Sequence, residues 1–90
     1  MNAADRKRAR LIAQNIDTKL IELEALYEEL EGMAGDEESK FENMSESLQG
    51  GETGQAIEEA GRLLREAADD FESAKDSLES VVSNITSACD

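Results

Sequence analysis

Histidine, proline and tryptophan are absent from the 90-residue chain, cysteine occurs once (Cys89), and the only aromatics are Tyr27, Phe41 and Phe71. Without histidine there is no imidazole base and no imidazole metal ligand. A carboxylate metal site in a helical bundle uses Glu-x-x-His on two of its helices, and the acids here do not follow the spacing of a calcium loop. No serine has a recognisable base, and the glycine-rich segment 50–54 lacks the lysine and preceding strand of a phosphate loop. The chain is therefore expected to hold no cofactor and no metal, to have no catalytic residues and not to be an enzyme. One cysteine cannot make an internal disulfide, so Cys89 is read as a free thiol at a frayed helix end.

Long apolar runs are also missing. Nothing approaches the roughly 20 apolar residues of a membrane-spanning helix. No apolar run of about 7–15 residues follows the early charges, as a signal peptide would require. The expectation is a chain with no signal peptide and no membrane insertion, cytoplasmic as synthesised. Bases are scarce: nine against 22 acids, a net charge of −13. Residues 1–20 carry five of the bases and two acids, while residues 21–90 carry four bases and 20 acids. So acidic a body repels phosphate backbones, and nucleic acid is not an expected ligand.

What is present is helix chemistry. Hydrophobic residues make up 39%, below the ~45–50% of ordinary globular domains, so the core must be a thin stripe. Ile16, Leu20, Leu23, Tyr27, Leu30 and Ala34 recur at alternating spacings of four and three, and the same frame resumes at Phe41, Met44 and Leu48. Such spacing places them on one side of a helix. Ile12 extends the stripe upstream, and Asn2 is a suitable N-cap. Gly32 and Gly35 interrupt the composition but not the phase. We therefore expect one helix over about 3–47, softened near 32–36, rather than two. Gly50, Gly51 and Gly54 then form a turn at 49–54, with Thr53 placed to cap a second helix over about 55–87. In that helix Ile57, Leu64, Phe71, Leu78 and Ile85 form a row of large residues, paired with Ala60, Ala67, Ala74, Val81 and Ala88 at three-four spacing. Leu26, Met33, Leu63, Ala68 and Val82 lie beside these stripes and widen them.

A short turn between two long helices folds them back on each other. The predicted fold is a single all-α domain over 1–90, an antiparallel helical hairpin with coiled-coil packing. The widened stripes call for further cover, either from a second copy or from a different helical protein, as in a four-helix bundle.

The outline resembles the WXG100 (ESAT-6-like) family of small type VII secretion proteins. Ser47-Leu48-Gln49-Gly50 lies where that family has its Trp-x-Gly turn; Gly50 matches the glycine and Leu48 stands in place of the tryptophan. The family's Tyr-x-x-x-Asp/Glu export signal is absent from the C-terminus, and the Tyr27–Glu31 spacing falls within the first helix. The resemblance implies a partner or targeting chaperone that lacks its own signal. It would pair with the helical N-terminal domain of an LXG-type toxin and be exported with it. The alternatives are a self-assembling structural or adaptor coiled coil, a homodimer at the least, and an acidic inhibitor of a nucleic-acid-binding protein.

Overall fold

The computed structural model describes residues 1–90 and is all-helical. It contains α1 (Ala3–Glu42), the single-turn α2 (Glu46–Gln49) and α3 (Glu52–Cys89). Asn2 caps α1: its side-chain oxygen accepts from the Asp5 backbone N–H at 2.8 Å. The helix then runs through Gly32 and Gly35 without a break. A Cβ added at either glycine would meet nothing within 4 Å. Neither glycine is there to let another segment approach, and each weakens the helix by about 1 kcal/mol relative to alanine.

The first helix stops at Glu42, short of the expected end near 47. The Met44 N–H turns back to the Phe41 carbonyl at 3.1 Å, a tightened final turn. Gln49 donates its side-chain N–H to the same carbonyl at 2.8 Å, which satisfies a helix-end acceptor. Ser45 then caps α2, its hydroxyl accepting from the Leu48 N–H at 3.3 Å. The second long helix starts at Glu52 and reaches Cys89, so Thr53 and Gly54 lie in its first turn; Thr53 is not its cap.

Packing divides the chain into two compact units, Met1–Ala25 with Glu72–Asp90, and Leu26–Phe71. In each, parts of α1 and α3 pack side by side in a hairpin-like manner and run antiparallel. In the first unit Arg10 reaches Cys89 while Glu24 reaches Lys75. In the second Tyr27 lies against Phe71, ring centroids 6.1 Å apart, and Glu38 meets Arg65. No large side chain is fully buried. The closest packing falls on small residues, with Ala34 at 0% and Ala68 at 1% exposure. No helix is long and apolar enough to cross a membrane.

Candidate functional site: the seam and its open flank

On α1 the inward row comprises Ala13, Ile16, Leu20 and Leu23 in the first unit, and Tyr27, Leu30, Ala34 and Phe41 in the second; Met44, half-buried, lies just past the end of the helix. Ile12 is not in this row. It is half exposed, and Ala13 takes the inner position. Leu48 also departs from the expected stripe: at 58% exposure it sits on α2, where the register of α1 has already ended.

On α3 the large row Ile57, Leu64, Phe71, Leu78 and Ile85 faces inward, but its companion row differs from the one expected. The inner positions are Gly54, Gly61, Ala68, Lys75, Val82 and Cys89. Ala67, Ala74, Val81 and Ala88 are exposed, and Ala60 is only partly covered. Both choices satisfy three-four spacing around the large row, because a second row can sit either three or four residues further on. Val81 is accordingly a surface residue rather than a seam residue.

The row that α3 uses is held by specific contacts. A Cβ built on Gly61 would lie 3.5 Å from the Glu37 Cβ, ordinary contact, so α1 and α3 approach closely there. Lys75 occupies an inner position with its side chain 12% exposed and its ammonium paired to Glu24. Hydrogen bonding to Glu24 raises the Lys75 pKa above the ordinary lysine value. Cys89 is a free thiol, but it is buried rather than frayed, with its Sγ 3.7 Å from the Arg6 carbonyl oxygen. Arg10 donates to the Cys89 carbonyl at 3.4 Å, and a cation at a helix C-terminus is favourable.

In the turn, Gly50 is in ordinary right-handed backbone and no glycine has a positive φ. The turn's constraint lies at Gly54, which is buried. A Cβ there would sit 2.6 Å from the Gln49 carbonyl oxygen and would also overlap that of Leu48.

The Leu26–Phe71 unit has an inter-helix ion pair along one side of its seam and exposed apolar side chains along the other. In the Leu26–Phe71 unit, Arg65 binds Glu38 through two nitrogens, at 2.8 and 3.2 Å. Glu38 and Arg65 lie on the same side of the seam, so the rows on the opposite edges of the two helices also lie together. Those rows carry Leu26 and Met33 on α1, and Ala60, Ala67 and, further round, Leu63 on α3. Leu26, Met33 and Leu63 are each more than half exposed. In the other unit, Ile12, Asn15, Ile16, Lys19 and Leu78 line an open groove of about 360 Å³. No group of three or more His, Cys, Asp or Glu side chains is arranged to hold a metal ion.

The Arg65 hydrogen bond holds the Glu38 carboxyl below the ordinary glutamate pKa. A folded-state value below the unfolded one adds stability that is full above the unfolded pKa and is lost as pH falls from there through the folded-state value. The melting-temperature difference between the native protein and Glu38→Gln should therefore be constant near neutral pH. It should shrink to nothing as pH drops through about 4.3 and below.

No family model matches the chain. Nor does any curated protein or solved structure. The functional reading therefore rests on the seam and its open flanks.

Proposed function

We propose that the chain is a non-catalytic protein-binding module, a helical hairpin that completes a four-helix bundle with a helical partner. The observation that carries this reading is the apolar flank of the Leu26–Phe71 unit, where Leu26, Met33 and Leu63 stay in water beside a seam too thin to bury any large side chain fully. Exposed apolar side chains grouped on one side of a helix pair mark an interaction surface, whereas scattered ones need no explanation. The partner class that agrees with the WXG100-like outline is a type VII secreted protein with a helical N-terminal domain, for which this chain acts as companion or targeting chaperone. A homodimer that uses the same flank is the second reading, favoured by the presence of an open apolar groove in the other unit as well.

Co-expression with the product of the adjacent gene tests the first reading. A stoichiometric complex is expected, and Leu26→Gln with Met33→Gln should abolish it while leaving helix content and melting temperature unchanged. A complex insensitive to both substitutions would place the interface elsewhere.

A further inference from the structure

We infer that the open flank of the Leu26–Phe71 unit receives an amphipathic helix whose apolar stripe is edged by lysine and arginine. The inference rests on the protein-binding reading above and specifies the chemistry of the partner. Residues 26–71 hold 14 acids against three bases, a net charge of −11. The remaining residues, 1–25 and 72–90, hold eight acids and six bases, a net charge of −2.

Part of this acidity borders the apolar flank directly. Glu29 and Asp36 sit in the row three residues on from Leu26 and Met33, and Glu59, Glu66 and Asp70 flank Leu63. On the same flank an open groove of about 360 Å³ is lined by Glu37, Glu52, Thr53, Ala56, Ile57 and Ala60, so carboxylates and apolar side chains share its walls. Lys40, in the row of Leu26 and Met33, pairs with Glu37, and Arg62 pairs with Glu59 and Glu66, so the flank's charge outside ion pairs comes from Glu29, Asp36, Glu52 and Asp70; Arg65 is engaged with Glu38 on the opposite side.

An apolar surface bordered by carboxylates selects its occupant by charge as well as by shape. A helix laid in such a groove is read by its apolar anchors, and its flanking charges set orientation and exclude wrong partners. An acidic helix would bring like charges together along both edges. A basic one would be drawn in, less strongly as salt rises.

The test uses the full chain and three synthetic helix-forming peptides of equal length. The first has a leucine stripe edged with lysine, the second the same stripe edged with glutamate, and the third the first peptide's composition with its stripe scrambled. Anisotropy titration should show the first binding at least about ten-fold tighter than either control. Met33→Gln with Leu63→Gln should remove most of that difference while circular dichroism shows the protein still folded. Equal binding of the scrambled lysine peptide would overturn the inference, since charge alone would then account for binding. Equal or tighter binding of the glutamate-edged peptide, lost in the double variant, would overturn it while leaving the protein-binding reading intact. Self-association through this flank that the basic peptide cannot displace would overturn it in favour of a second copy. A monomer that binds none of the three would overturn both.

Discussion

Ala68→Asp should unfold the protein, whereas Ala67→Asp should leave it folded. The two alanines are neighbours with the same helix propensity, so the backbone cost of the substitution is common to both. They differ in where they point. Ala68 is 1% exposed in the inner row of α3, while Ala67 is open to water. An uncompensated carboxylate at a buried position costs roughly 3–5 kcal/mol. That is most of the stability of a small domain, which lies at the low end of about 5–15 kcal/mol. Thermal denaturation followed by circular dichroism checks both variants. A folded Ala68→Asp with an unfolded Ala67→Asp would show that α3 packs on its alanine row after all.

The second large effect is expected at the turn. Gly54→Ala places a Cβ 2.6 Å from the Gln49 carbonyl oxygen, and backbone atoms cannot give way as a flexible side chain can. The first turn of α3 must shift from α2, at a cost of about 1–3 kcal/mol for overpacking of this kind. Gly50→Ala and Gly51→Ala are the controls. Their nearest contacts would be 3.7 Å and 3.5 Å, ordinary van der Waals distances, and neither glycine has a positive φ. Urea denaturation midpoints should fall for Gly54→Ala and stay close to the native value for the other two. A reversed order would mean that the glycines serve the turn through backbone freedom rather than close approach.

The inward row of α1 was legible from Ile16 to Phe41 because the large apolar residues there leave one phase open, and Gly32 and Gly35 do not reset it. The end of α1 was less legible. No glycine or proline stands at Glu42, and the signal that ends the helix is Ser45, a cap for the single turn that follows. Leu48 kept the phase of the stripe in the sequence, yet it belongs to a different helix.

The companion row of α3 was ambiguous for a geometric reason. Five large residues at seven-residue intervals accept a second row on either side, and alanine at 60, 67, 74 and 88 is a more familiar core residue than Lys75. What distinguishes the two sides is a partner far along the chain: Glu24 satisfies Lys75, and Arg6 and Arg10 meet Cys89. Those pairings cannot be seen within α3 alone. The same ambiguity leaves the unused alanine row beside the open flank. The sequence signal for that flank was the widening of the stripes by Leu26, Met33 and Leu63.

Size-exclusion chromatography with light scattering, run on the chain alone and with the adjacent gene's product, tests the central claim most directly. The account predicts a stoichiometric complex, or a self-associated species, with a mass above the 9.8 kDa of one chain. Met33→Gln with Leu63→Gln should return that species to the single-chain mass. A native protein that stays at 9.8 kDa under both conditions would contradict the claim that the open flank exists to be covered by another protein.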